Sequence, residues 1–157
     1  MSRFTVKFIN SIIQGDAMPD FNFYFPIQVR YGDLDPQWHV NHARFLTFIE
    51  QARFGYLMEL GLWDGQSFMD LGVIVADVHI SYKAPIVLGQ KVQVGVRVVK
   101  IGNKSLTFEC QIEDAESHTT LALGEVIAVS YNYHTHATQP VPADWREKIS
   151  QYEGLAG

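Results

Sequence analysis

The densest group of chemically capable side chains lies between residues 31 and 42. Two acids, Asp33 and Asp35, are followed there by two histidines, His39 and His42, and by Asn41. Asn41 is a good N-cap, so a helix should begin directly after it and present free backbone N–H groups that can stabilise an oxyanion. A carboxylate a few residues earlier could act on the same carbonyl as a base or as a nucleophile. The segment therefore predicts both halves of an acyl-transfer site, although acid-rich turns and a helix cap would account for the same residues without catalysis.

The elements on either side of this segment are a strand and a long helix. Apolar side chains alternate through residues 21–31, and Pro26 indicates an edge position or a bulge in that strand. The helix is predicted from Asn41 to about Leu60, with Gly61 as its stop. Its apolar stripe at three-four spacing comprises Phe45, Phe48, Ile49, Ala52, Tyr56, Leu57 and Leu60, and further apolar residues, Leu46, Phe54 and Met58, lie off that stripe. We therefore expect the helix to be buried on more than one side.

The rest of the chain is mostly predicted strand. Alternating segments cover residues 74–83, 91–98, 105–113 and 119–133, and a short helix is predicted over 142–153. Each middle strand has one apolar and one polar face, which indicates a sheet covered on one side only. The predicted fold is α+β, with one long helix wrapped by an antiparallel sheet of about five strands. Residues 1–20 are interpreted as an N-terminal arm and 21–157 as a single domain, and the surplus apolar surface predicts a homo-oligomer.

Composition excludes several classes of function. A net charge of −5 argues against non-specific nucleic-acid binding, and the single cysteine, Cys110, rules out an intrachain disulfide. No apolar run approaches the length of a membrane helix and no secretory signal is evident, so we expect a cytoplasmic protein without membrane contact. His134 and His136 form an H-x-H pair, but no third ligand is in view and we expect no metal.

The segment around Asp35 resembles the 4-hydroxybenzoyl-CoA thioesterase family of hotdog-fold proteins. The similarity covers roughly residues 24–135 and is closest to an acyl-CoA thioesterase branch with an HVNNARY-like helix start, which reads His-Val-Asn-His-Ala-Arg-Phe at residues 39–45. The matching motifs lie at residues 29–35, 39–46, 50–53 and 80–86. The resemblance implies a hotdog fold and hydrolysis of an acyl-CoA to a carboxylic acid and CoA, without metal or organic cofactor. It also implies a homodimer or homotetramer with its sites between subunits.

The resemblance assigns roles to individual residues. It places Asp35 at the catalytic carboxylate, as general base or nucleophile, and the backbone N–H of His42 at the group that holds the thioester carbonyl. His39 and Asn41 would line the same corner and orient water or Asp35. Asp33 would structure the loop.

Contacts to CoA are expected from a second group of residues. Lys104 and Ser105 follow a predicted Gly-Asn turn and could bind CoA phosphates, with help from Lys100 and Lys83. Trp38 departs from the family, whose members usually carry Gly or another small residue there, so the shape of the acyl pocket can differ. Glu50 is a rival catalytic acid, because another hotdog branch uses a helix carboxylate, although an ion pair with Arg53 would also explain it.

Two other functions remain open at this stage. A hotdog protein could bind acyl-CoA without turnover, or it could act as a dehydratase through an acid–histidine pair. The motif around Asp35 and His39 does not resemble the dehydratase branch.

Overall fold

A computed structural model describes residues 21–156 of the chain. The predicted antiparallel sheet is confirmed, with strand order β1-β3-β4-β5-β2 and a short β6 paired to β5. The strands are β1 Phe23–Gln28, β2 Val73–Tyr82, β3 Lys91–Ile101, β4 Ser105–Asp114, β5 Thr120–Asn132 and β6 Ala137–Thr138. The helices are α1 His42–Glu59 and α2 Ala143–Glu153, with single 3-10 turns at Tyr31–Asp33 and Phe68–Asp70. The expectation of an arm at 1–20 lies outside the described residues.

Helix α1 begins and ends where the sequence predicts. Asn41 Oδ1 accepts a hydrogen bond of 2.9 Å from the N–H of Ala43, and Gly61 follows the helix with φ 62°. The helix lies close to the sheet at Gly124, where a Cβ atom would come within 2.8 Å of Ile49 Cδ1. A glycine on β5 is therefore required for this approach.

A second helix makes the description of one helix on a sheet incomplete. Helix α2, predicted as a short terminal helix, buries Trp145 and Ile149. Its last residue, Glu153, accepts hydrogen bonds from Tyr56 Oη at 2.6 Å and from the N–H of Val98 at 3.2 Å. Helix α2 thus packs against α1 and β3 and covers this end of the core.

The sequence predicts a sheet that is covered on one side only, and the burial of residues on its polar face shows that this prediction is wrong. Glu109, Gln111 and Glu113 on β4 are all buried, although they point away from the apolar core. Arg97 Nε donates to Glu109 at 2.9 Å, and Gln93 Nε2 donates to Glu113 at 2.6 Å. Side chains directly opposite one another on neighbouring strands shield each other, which a single-strand pattern cannot reveal.

Strand β2 lies at an edge of the sheet and pairs only with β5 among the described residues. It is ten residues long, and such an edge offers unpaired N–H and C=O groups to another chain. Exposed apolar side chains on β2 and α1 are Ile74, Val75, Val78, Tyr82, Leu46 and Met58. This is the apolar surface for which the sequence predicts a second subunit.

Candidate active site

A tight turn between β1 and α1 holds Asp35 in place. The N–H of Asp35 donates to the carbonyl of His39 at 2.9 Å, and the N–H of Trp38 donates to the carbonyl of Asp35 at 3.0 Å. Asp35 Oδ1 accepts from the N–H of Gln37 at 2.8 Å. The second carboxylate oxygen has no hydrogen-bond partner among the described residues, so it is available to a ligand.

The start of α1 supplies a backbone donor beside this carboxylate. The N–H groups of Ala43 and Arg44 are both occupied by Asn41, through its side chain and its carbonyl respectively. The N–H of His42, the first residue of the helix, has no acceptor within residues 21–156. It can therefore donate to a carbonyl oxygen, and the positive end of the helix dipole would favour developing negative charge there.

One open pocket of about 390 Å³ brings four predicted site residues together: Asp35, His39, His42 and Lys83. Its other walls are Gln37, Val40, Phe45, Tyr82, Ala84 and Pro85. A carboxylate, two imidazoles and an ammonium group thus line the same pocket.

Tyr82 is a wall of this pocket that the sequence analysis missed. Its hydroxyl donates to the carbonyl of His42 at 3.0 Å, and its ring packs edge-on against Phe45 with centroids 5.1 Å apart. Partial burial raises the pKa of Tyr82 and keeps the donor proton in place. Side chains alternate between the two faces of β2, and this pattern places Tyr82 on the face toward the helix. That alternation was the sequence signal for its part in the pocket.

Asp33 and Asn41 hold the local structure. Asp33 Oδ2 accepts from the N–H of Arg30 at 2.8 Å, and the carbonyl of Asp33 accepts from the N–H of Asn41 at 2.8 Å. Asn41 Oδ1 is occupied by the helix cap, and its side chain is not among those that line the pocket. Asp33 therefore connects the loop to the start of the helix, as the sequence analysis expects.

Lys104 and Ser105 lie far from the pocket within one subunit. Ser105 is level with Val129 on β5, which in turn pairs with Ile74 near the start of β2. Tyr82, at the pocket, is eight residues further along β2, which corresponds to about 25 Å. Lys104 Nζ donates to Thr138 Oγ1 at 3.1 Å. The structure thus does not bring these two residues to the Asp35 pocket of the same chain.

Glu50 lies on α1 and lines a second, smaller pocket together with Arg53. The ion pair that would explain both residues is not formed among the described residues. Arg53 is only 5% exposed, inside the apolar stripe of the helix, where the sequence analysis gave it no part in the core. The sequence signal for this burial was an arginine that stands among the regularly spaced apolar residues of the helix.

Trp38 occupies a backbone position that favours glycine. Its φ is 64° and its side chain is 69% exposed. The left-handed region costs an L-residue about 1–2 kcal/mol. Glycine relieves this strain but loses more conformational entropy on folding, which costs about 0.5–1 kcal/mol. We expect Trp38→Gly to raise the free energy of unfolding by about 0.5–1 kcal/mol in urea titrations. Gln37→Gly is the matched control and should lower it, because Gln37 has no positive φ; a less stable Trp38→Gly would contradict the strain argument.

The described part of the chain holds neither a cluster of potential metal ligands nor a candidate membrane-spanning helix. Within residues 21–156, no group of three or more His, Cys, Asp or Glu side chains is placed to hold a metal ion. None of the helices there is long and apolar enough to cross a membrane.

Comparisons with known proteins agree on one family. A family model described as the thioesterase-like superfamily matches residues 29–149. The long-chain acyl-CoA thioesterase FadM of Escherichia coli is 26% identical over 80% of this chain and 95% of the relative. The acyl-CoA thioesterase YbgC of Haemophilus influenzae is 33% identical over 59% of this chain and 69% of the relative. A Thermus thermophilus thioesterase solved with coenzyme A and Zn is 32% identical, with a TM-score of 0.77 over 87% of this chain and 98% of that one.

Proposed function

Because the chain belongs to the thioesterase-like superfamily, we propose that it hydrolyses an acyl-CoA thioester to a carboxylic acid and CoA. The observation that carries this proposal is the pocket in which an unpaired Asp35 oxygen and the free N–H of His42 lie together. The printed names of the relatives, acyl-CoA thioesterases, support the same reaction.

We propose Asp35 as the catalytic carboxylate, acting either as a general base or as a nucleophile. As a general base it takes a proton from water, the hydroxyl oxygen bonds to the thioester carbon, and the C–S bond breaks with its electron pair on sulfur. The proton on Asp35 then passes to the departing thiolate. As a nucleophile, Asp35 would itself bond to the carbon and displace the thiolate, and water would hydrolyse the mixed anhydride. Both routes consume one water and release the acid and CoA.

The N–H of His42 would hold the thioester carbonyl and stabilise the charge that develops on its oxygen. His39 lies in the same pocket and would orient the attacking water or Asp35. Asn41 contributes by capping α1, which keeps the His42 amide pointing into the pocket. Lys83, at the rim, would contact a CoA phosphate.

We propose that the working unit is a homodimer, or a homotetramer built from it, in which two copies of β2 pair antiparallel. Pairing would satisfy the open edge of β2 and cover its exposed apolar side chains. An antiparallel arrangement brings the start of the partner's strand next to the Tyr82 end of the first. Lys104 and Ser105 of the partner subunit would then approach the Asp35 pocket and bind CoA phosphates.

The direct test is release of free thiol from a panel of acyl-CoA esters of increasing chain length, including aromatic ones. We expect hydrolysis well above the rate without protein for at least one chain class. If every ester stays intact while calorimetry detects acyl-CoA binding, the protein is a binding protein and the proposed reaction is wrong.

A further inference from the structure

Arg53 is a buried cation that forms no hydrogen bond or ion pair among the described residues. Its side chain is 5% exposed, and its Nε atom has no hydrogen-bond acceptor within the described residues. The guanidinium carbon lies 5.8 Å from the centroid of the Phe108 ring. Burial lowers the pKa of Arg53, with Cys110 and Glu50 opposing this, yet an arginine stays charged. The Nη atoms are not fully enclosed, so they can donate to a molecule in the neighbouring pocket, and a charge this deeply buried is stabilised by such a partner.

The pocket beside Arg53 has a volume of about 170 Å³. A cavity of about 150 Å³ accommodates a benzene-sized molecule, so this pocket accepts one end of a ligand and not a whole one. Its apolar walls are Leu46, Ile49, Val78 and Val126, and its polar groups come from Thr47, Glu50 and Arg53. The occupant therefore has an apolar body and a polar atom.

Both this pocket and the Asp35 pocket are lined by residues of α1 and of β2. His42 and Tyr82 line one, and Arg53 and Val78 line the other. Eleven residues separate His42 from Arg53 on α1, which is about 16 Å. The side chain of Arg53 leans back toward the helix start and shortens this distance. An extended chain advances about 1.2 Å per bond, so an acyl group of about 8–12 carbons would span it.

We propose that the Arg53 pocket receives the far end of the acyl group and selects substrates that carry a hydroxyl there, so that the preferred substrate is a medium-chain hydroxyacyl-CoA. This inference rests on the proposed function. A hydroxyl oxygen accepts a hydrogen bond from Arg53, and its proton can be donated to Glu50. A carboxylate at the same position would be repelled by Glu50, and a terminal methyl group would leave Arg53 unpaired.

The test compares ω-hydroxydecanoyl-CoA with decanoyl-CoA and with the carboxyl-terminated analogue of the same length. Wild-type protein should hydrolyse the hydroxylated ester with kcat/KM at least about tenfold above either of the others, the factor expected from one hydrogen bond to a charged group. Equal values, or preference for decanoyl-CoA or for the carboxylate, would overturn the proposal.

Arg53→Met removes the charge and keeps the length of the side chain, so the hydroxyl preference should fall to about one. Replacing an unpaired buried charge with an apolar residue is compatible with folding. Arg53→Lys should keep part of the preference. If Arg53→Met is folded but has become monomeric by light scattering, Arg53 serves the contact between subunits and the proposal is wrong.

A binding measurement separates this inference from the proposed reaction. In the Asp35→Asn background, calorimetry should give at least about tenfold tighter binding of ω-hydroxydecanoyl-CoA than of decanoyl-CoA. Tighter binding of ω-hydroxydecanoyl-CoA without hydrolysis by the wild-type protein would contradict the proposed reaction and support the proposed role of the Arg53 pocket. Hydrolysis of both esters together with equal binding affinity would contradict the proposed role of the Arg53 pocket and support the proposed reaction.

Discussion

Asp35→Asn should lower kcat by about 10²-fold or more, the range typical for a lost general base, while folding, assembly and acyl-CoA binding persist. The asparagine keeps an Oδ1 acceptor for the N–H of Gln37, so the turn that holds residue 35 stays closed. The donor at His42 belongs to the backbone and is unchanged by the substitution. Only the negative charge and its proton affinity are lost, and steady-state thiol release at saturating acyl-CoA measures the result.

Asp33→Asn is the matched control two residues earlier. Its side chain accepts from the N–H of Arg30 and lies 3.7 Å from Arg44 Nε, so the substitution should lower stability more than turnover. Glu50→Gln tests the rival assignment on α1. If Asp35→Asn keeps near-normal kcat and Glu50→Gln is inactive, the catalytic carboxylate is on the helix and the role proposed for Asp35 is wrong.

Local signals were sufficient for α1 and for the loop that precedes it. Asn41, the apolar stripe and Gly61 act within a few residues of one another, so the helix bounds follow from the sequence. The positions of Asp35, His39 and His42 follow as well, because one short turn carries all of them.

Features set by contacts between distant segments could not be predicted in this way. The burial of Glu109 and Glu113 depends on Gln93 and Arg97 of the neighbouring strand. The part played by Tyr82 in the pocket depends on β2 passing the start of α1. The burial of Arg53 depends on its packing over Phe108, about a third of the chain away in sequence.

The distance of Lys104 from the pocket leads to a prediction about which subunit supplies it. Within one chain the strand register separates Ser105 from the Tyr82 end of β2 by about 25 Å. Antiparallel pairing of two β2 edges would remove this separation across the dimer. Lys104→Ala should raise KM more than it lowers kcat, since a phosphate contact is made equally in the ground state and the transition state.

A dimer that carries Asp35→Asn in one subunit and Lys104→Ala in the other should therefore regain activity. If each site takes Asp35 from one chain and Lys104 from its partner, one of the two sites is intact and the other carries both defects. Such a dimer, isolated with two different affinity tags, should show about half the wild-type rate at acyl-CoA concentrations well below KM. Each homodimeric variant should fall well below that, by about tenfold for Lys104→Ala, since a hydrogen bond to a charged group is lost. If both residues serve the same chain's site, every site in the mixed dimer has one defect and the rate stays at the mean of the two homodimeric variants. If homodimeric Lys104→Ala keeps the wild-type KM, the CoA phosphates bind elsewhere, and Lys100 or Lys83 are the next residues to substitute.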